Sequence, residues 1–263
     1  MILQELGCHN MESLETRLSS HLVDGVLALD AGSLSRSLSF KKQSKLKAIL
    51  ISHRHFDHIR DLLPLGFTFL ENKSQIDIYG MDDTVEHIQK TLMAGNIFPD
   101  FTNWPSKKSA PYKMHAINHY EEYEILGYSV KAFPVPHAVP ASAFEISDGH
   151  ATLFYTGDTG EGLSRCWSIS NPDVLLTEVT FGNGNLDIAK VSGHLTPSIL
   201  KKELLHFQKV NNHMPKVIVT HLNPPWEIQI REELQHVAED LQIDLSVAKE
   251  DDEFQITSNQ LEG

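Results

Sequence analysis

The sequence predicts a layered α/β fold, two sheets with helices packed over them. Strand-like apolar runs recur throughout the 263 residues, and helix-like stretches fall between them. Near the N-terminus an Asp-Gly pair separates two apolar runs, a strong hairpin signal. That hairpin joins Ser20-His21-Leu22-Val23 to Val26-Leu27-Ala28-Leu29-Asp30, and Asp30-Ala31-Gly32 turns the chain out of its second strand. Leu46-Lys47-Ala48-Ile49-Leu50-Ile51 reads as a buried strand. Asp57 to Leu70 reads as a helix, Gln75 to Tyr79 as a strand and Asp82 to Met93 as a helix. From about residue 93 to 127 the chain is rich in Pro, Asn, Tyr and Trp and shows no clear period. It is expected to be an irregular insertion, a lid or an oligomer contact, in a single domain spanning 1–263. Further strands are expected at Tyr128 to Phe133, Ala141 to Ile146, Ala151 to Thr156, Val174 to Thr177 and Lys216 to Thr220. Helices are expected at Thr196 to Val210 and Ile228 to Asp240. Thr196-Pro197 starts the first of these with a capping hydroxyl and a proline at the first helical position.

A chain of this length can bury a full core, and its apolar fraction of 41% is ordinary for a globular protein. It has no apolar stretch long enough to span a bilayer, and Met1 to Leu6 lacks the pattern of a secretion signal. Cys8 and Cys166 lie far apart and read as free thiols, so a reducing, cytoplasmic location is expected. The formal charge of -13 works against a polynucleotide partner and suits a small anionic substrate held at bound cations. The one dense basic run, Lys41 to Lys47, reads as a solvated strand entry.

The chemistry concentrates in Ile51-Ser52-His53-Arg54-His55-Phe56-Asp57-His58. In an extended segment residues two apart share a face, so His53 and His55 can grip one ion. Asp57 and His58 fall where the chain turns into a helix and can serve a second. Imidazole and carboxylate ligands suit zinc, manganese or iron. Three more strands end in a possible ligand: His137 after Phe133-Pro134-Val135-Pro136, Asp158 after Phe154-Tyr155-Thr156-Gly157, and His221 after Val217-Ile218-Val219-Thr220. The other nine candidates among the 15 histidines (His9, His21, His87, His115, His119, His150, His206, His213 and His236) have no partner at ligand spacing and are read as ordinary.

The series His-x-His-x-Asp-His, then His, Asp and His in that order, resembles the metallo-β-lactamase-fold hydrolases. The resemblance runs through nearly the whole chain and implies a four-layer αβ/βα sandwich holding two divalent ions. It implies that His53, His55 and His137 bind the first ion, that Asp57, His58 and His221 bind the second, and that Asp158 bridges them. Open positions on both ions would argue for catalysis, with a shared water present as hydroxide near neutral pH.

Two further segments bear on the substrate. Glu178 in Thr177-Glu178-Val179-Thr180-Phe181 follows a strand, and His194 in Ser192-Gly193-His194-Leu195-Thr196-Pro197 precedes a helix. A carboxylate beside an imidazole favours the imidazolium, which can bind a phosphate oxygen and protonate a departing alkoxide. These segments, with Thr220-His221-Leu222-Asn223-Pro224 and Gly95-Asn96-Ile97-Phe98-Pro99-Asp100-Phe101, resemble most closely the class II 3′,5′-cyclic-nucleotide phosphodiesterases. Phe56 and Asp61 depart from that pattern. The implied reaction is attack by metal-bound hydroxide on a cyclic nucleotide to give a 5′-nucleotide, with Asp57, Glu178 and His194 in catalytic roles, zinc as the expected metal and a homodimer as the assembly. Competing readings are a tRNA 3′-processing nuclease like tRNase Z, a thioesterase or lactonase on the same core, and a non-catalytic scaffold. Trp104, Phe98 and Phe101 are candidates to stack on a base, against the commoner role of such aromatics in a core or a dimer contact.

Overall fold

The structure, a computed structural model, describes residues 1–258. Its first part contains β1 (Ile2–Gly7), β2 (Ser20–Val23), β3 (Leu27–Leu29), α1 (Leu34–Ser37), α2 (Phe40–Gln43), β4 (Ala48–Leu50), α3 (Phe56–Ile59), α4 (Leu62–Glu71), β5 (Ile76–Met81), α5 (Asp82–Lys90) and β6 (Tyr112–Ile117). The second contains β7 (Glu122–Ile125), β8 (Tyr128–Val135), β9 (Ala141–Ser147), β10 (Thr152–Tyr155), α6 (Ser164–Trp167), β11 (Val174–Glu178), α7 (Leu186–Ser192), α8 (Pro197–Asn211), β12 (Lys216–Thr220), α9 (Glu227–Leu241), β13 (Leu245–Val247) and β14 (Glu253–Gln255).

The strands form two seven-stranded sheets, in the orders β14-β1-β2-β3-β4-β5-β6 and β13-β12-β11-β10-β9-β8-β7. The two-residue period of each strand sorts side chains between layers. In β4, Ala48 and Leu50 enter the core between the sheets, with Leu27 and Leu29 from one sheet and Phe144, Leu153 and Leu176 from the other. Ile49 and Ile51 point the opposite way, under Leu62, Leu65 and Phe69 of α4. The second sheet does the same, placing Phe154, Leu175 and Val217 under Trp167, Leu204 and Leu234 of its helices. The result is the expected helix–sheet–sheet–helix stack. At the predicted hairpin, Asp24 and Gly25 both take positive φ, 48° and 73°. Thr196 caps α8 by accepting from Ile199 N, with Pro197 at the helix start.

Two expectations need correction. The stretch 93–127 is irregular only in its first part, because 112–117 and 122–125 form β6 and β7, the outer strands of the two sheets. With one neighbour each they bury few side chains, so their period is faint in the sequence. The helix expected from Asp57 to Leu70 is broken between α3 and α4. The Asp61 N–H bonds to the Ala31 carbonyl at 2.8 Å instead of continuing a helical ladder, and Asp61 Oδ2 accepts from Ser35 N at 2.7 Å.

Phe101, within the segment proposed to stack on a base, is fully buried, its ring 5.1 Å from that of Phe67. It lies on Gly66 of α4, where an added Cβ would overlap the ring. Gly66→Ala is therefore expected to destabilise the fold by about 1–3 kcal/mol, read as a lower denaturant midpoint. In a Phe101→Leu background the extra cost of Gly66→Ala should shrink. Strictly additive losses would show that the ring is not the obstacle.

Candidate metal centre

The predicted residues meet where the strands end. His53 and His55 follow β4, His137 follows β8, Asp158 follows β10 and His221 follows β12, while Asp57 and His58 lie in α3. These are carboxyl ends of strands, where the loops of an α/β sheet form sites. Gly157, with φ 57°, lets the chain before Asp158 pass close to Ser52, whose Cβ a side chain there would meet at 2.7 Å. His221 itself takes φ 55°, an uncommon conformation for a side-chain-bearing residue and one that cores tolerate mainly at functional positions.

The donor atoms form two groups that share Asp158. His53, His55, His137 and Asp158 make one, and Asp57, His58, Asp158 and His221 the other, with ligand atoms in each within 4.8 Å of one another. Asp158 Oδ2 faces the first group, 3.7 Å from His53 Nε2 and 3.8 Å from His137 Nε2. Its Oδ1 faces the second, 3.2 Å from His58 Nε2 and 3.3 Å from His221 Nε2. His55 presents Nδ1, 3.1 Å from His137 Nε2. Asp57 Oδ2 lies 3.2 Å from His221 Nε2.

The outer nitrogens of four imidazoles are spoken for, which fixes how the inner ones point. Ser52 Oγ donates to Asp30 Oδ2, so at 3.0 Å it accepts from His53 Nδ1. His58 Nδ1 donates to Asp30 Oδ2 at 2.7 Å, and His137 Nδ1 to the Gly193 carbonyl at 2.8 Å. Thr180 Oγ1 donates to Glu178 Oε2 and accepts from His221 Nδ1 at 2.9 Å. Inside this ring, His53 Nε2 and Asp158 Oδ1 are buried and make no hydrogen bond. Buried donor and acceptor atoms rarely stay unpaired in proteins, and this set of borderline and hard donors suits divalent cations. The residues fit two such ions.

The electrostatics agree. Burial, with His58 beside it, holds His53 well below the ordinary histidine range, and burial lowers His55 and His137 as well. Those rings are neutral near pH 7, the form that ligates metal. Burial works against the charge on Asp158, but His221 and His58 outweigh it and hold the carboxyl well below its usual range. Burial also opposes the cation on His58, which Asp158, Asp57 and Asp30 nonetheless hold well above ordinary.

Glu178 and His194 form the third group at this place. His194 Nδ1 lies 2.7 Å from Glu178 Oε1 and 4.0 Å from Asp158 Oδ2. Burial opposes its protonation, but the Glu178 charge and hydrogen bond raise it to about 9. A cavity of about 520 Å³ opens over the site, lined among others by His55, Asp57, Asp158, His194 and His221. Phe98, Phe101 and Trp104 are not among its lining residues.

Asp30, read in the sequence only as a turn residue, is fully buried and accepts from Ser52 N, Ser52 Oγ, His58 Nδ1 and Tyr155 Oη, all at 2.6–2.7 Å. Its φ of 58° aims it there. His9, read as ordinary, is clamped between Glu250 Oε1 at 2.7 Å and Glu227 Oε2 at 3.0 Å. Cys8 Sγ is 3.7 Å from the same ring, but burial pushes that thiol far above its usual range and it donates to the Ala248 carbonyl. With both His9 nitrogens committed to carboxylates, this is an ionic clamp, and it sits on the segment that bridges to Leu222 beside His221.

Residues 22–222 match the family model described as a beta-lactamase superfamily domain. The chain belongs to this family. Membership places it among the metal-dependent hydrolases of the metallo-β-lactamase superfamily. A 3′,5′-cyclic-nucleotide phosphodiesterase of Aliivibrio fischeri is 27% identical over 192 residues, 64% of this chain and 56% of that protein. The probable metallo-hydrolase YhfI of Bacillus subtilis is 28% identical over 170 residues, 60% of this chain and 62% of that one. A ribonuclease Z of Acaryochloris marina is 30% identical over 109 residues, 41% and 32%. The chain thus spans less than two thirds of the length of these curated relatives. Among solved structures, unliganded yeast PDE1 shares the fold with a TM-score of 0.80 at 19% identity, covering 96% of this chain and 98% of that one. The metallo-β-lactamase-fold protein YhfI from Bacillus subtilis does so at 0.77 and 22%, with coverage of 96% and 98%.

Thr180→Val keeps the shape of the side chain but removes the acceptor for His221. It should lower metal affinity by about 10–100-fold in a chelator competition while the circular dichroism spectrum stays unchanged. For the His9 clamp, burial lowers the ring's proton affinity, but Glu250 and Glu227 outweigh it and raise His9 above its ordinary value. Its stabilisation is therefore full below the ordinary histidine range and is lost as pH rises through the raised value. The thermal midpoint of His9→Gln should fall furthest below wild type in mild acid and approach it in alkali. A pH-independent gap would show that packing alone sets it.

Proposed function

We propose that this protein is a metal-dependent phosphodiesterase that opens a 3′,5′-cyclic nucleotide to a 5′-nucleotide. The observation that carries this reading is the Glu178–His194 pair at 2.7 Å, whose His194 lines the same cavity as residues of both donor groups. His53, His55, His137 and Asp158 would hold one ion, and Asp57, His58, His221 and Asp158 the other. Zinc fits the donor set, as do manganese and iron. Bound there, the ions supply the Lewis acidity that activates a water and polarises the phosphoryl oxygens.

The protein's own groups do the rest. Glu178 binds His194 Nδ1, which fixes the ring and leaves Nε2 to carry the proton toward the cavity. When the bond from phosphorus to the 3′ oxygen breaks, Nε2 gives its proton to that oxygen, and beforehand the imidazolium balances charge building on the phosphoryl group. An ester or lactam has less need of such a cation. Support comes also from the phosphodiesterase named among the relatives.

The ribonuclease Z relatives support a second reading, a tRNA 3′-processing nuclease using the same residues. The net charge of -13 weighs against it. His194→Ala should lower kcat for a cyclic nucleotide by about 10²–10⁴-fold with metal content unchanged by elemental analysis. Unaltered turnover would remove His194 from the mechanism, and salt-sensitive cleavage of precursor tRNA with no turnover of cyclic AMP or cyclic GMP would reverse the preference.

A further inference from the structure

The cavity over the centre is lined on part of its surface by large apolar side chains. Phe56 and Met11 line it and remain 60% and 50% exposed. Phe56 opens α3 between His55 and Asp57, so its ring is carried on the same turn as three donor residues. Met11 belongs to the 10–17 loop, which is pinned on several sides. Glu12 pairs with both Arg36 and Arg60, Arg36 Nη2 donates to the Ser13 carbonyl at 2.7 Å, and Thr16 Oγ1 donates to the Met11 carbonyl at 2.8 Å. Asn10, the next lining residue, has a side-chain oxygen shielded from solvent that finds no partner in the protein. This part of the lining is thus held in place, and it combines two apolar side chains with the Asn10 amide and the arginine-paired Glu12 carboxylate.

A phosphate and a sugar gain little from such a surface. A nucleobase suits it on both counts, with a π face for the ring and thioether and a polar edge for the amide. The cavity, at about 520 Å³, is within the range of ligand pockets. We propose that Phe56 and Met11, with Asn10 as polar partner, form the subsite for the base of a nucleotide whose phosphodiester lies on the metal centre. The proposal rests on the phosphodiesterase reading above, and it assigns to Phe56 a specificity role.

The test compares kcat/KM for cyclic AMP with that for methyl ribofuranoside 3′,5′-cyclic phosphate, which lacks a base, followed by phosphorus NMR. Metal-loaded wild type, Phe56→Ala and Met11→Ala are measured side by side. Wild type should prefer cyclic AMP, and Phe56→Ala should cut that ratio by about tenfold, with a smaller fall for Met11→Ala. A ratio preserved in both variants overturns the subsite. If wild type turns over neither compound, the cyclic-nucleotide reading fails, and the subsite is decided by titrating the metal-loaded protein with AMP and with ribose 5-phosphate. Tighter binding of AMP that is lost in Phe56→Ala upholds it. Equal binding of the two, or a preference that survives Phe56→Ala, overturns it.

Discussion

Asp158 is a carboxylate that the fold must keep charged while leaving it only 2% exposed to water, above the core where the two sheets meet. An isolated ion there would cost several kcal/mol or more, so the surroundings have to answer it. They do so with imidazoles on both sides, His53 and His137 toward one oxygen and His58 and His221 toward the other. Each ring can face inward only if its outer nitrogen has an acceptor. That requirement places Ser52 and Asp30 behind one pair, and the Gly193 carbonyl and Thr180 behind the remaining two rings. The ends of β4, β8, β10 and β12 must therefore come together at one edge of the stack, and the topology of both sheets serves this.

Glu178 ties the rest to that carboxylate. It is 1% exposed, and its two oxygens are shared among neighbours that belong to different parts of the site. Oε1 accepts from Thr159 N, the residue after Asp158, at 3.0 Å and from His194 Nδ1 at 2.7 Å. Oε2 accepts from Thr180 N at 3.1 Å and Thr180 Oγ1 at 2.7 Å, the hydroxyl that orients His221. One side chain thus sets the distance between the second donor group and the imidazolium. Loss of Glu178 would disturb both, whereas loss of His194 would leave the donor groups in place, so the two changes report different things about the site.

The donor positions were legible because His53, His55, His137, Asp158 and His221 each follow a hydrophobic strand, with Asp57 and His58 a few residues beyond the first two. The Glu178–His194 pair was legible through resemblance, since nothing in the chain between these residues, 16 positions apart, dictates a contact. Asp30 was not, because the partners that give it meaning lie 22, 28 and 125 residues away. Thr180 had the same difficulty: a threonine two residues past a strand-end glutamate carries no local sign that it holds His221, 41 residues on. β6 and β7 escaped for a different reason. An outer strand buries one face against a single neighbour, so its pattern fades into that of a loop. The break after α3 was invisible because a tertiary bond from Asp61 N to Ala31 O, not a proline or glycine, ends the helical ladder.

The acid balance of the chain bears on what this site could accept. With a net charge of -13, the protein's distant field repels phosphate, but that field is screened within about 10 Å at ordinary ionic strength. Inside the cavity the relevant charges are local: the His194 imidazolium against the carboxylates of Asp57, Asp158 and Glu12, which divalent ions on the donor groups would offset. On the proposed reading, a diester small enough to enter the cavity would meet this local charge rather than the acidic exterior. A polynucleotide would have to lay many further phosphates across an acidic exterior, and the one dense basic run, Lys41 to Lys47 around α2, contributes no residue to the cavity lining. On the proposed phosphodiesterase reading, charge would therefore favour the short anion over the long one, even though the same residues could cut either bond.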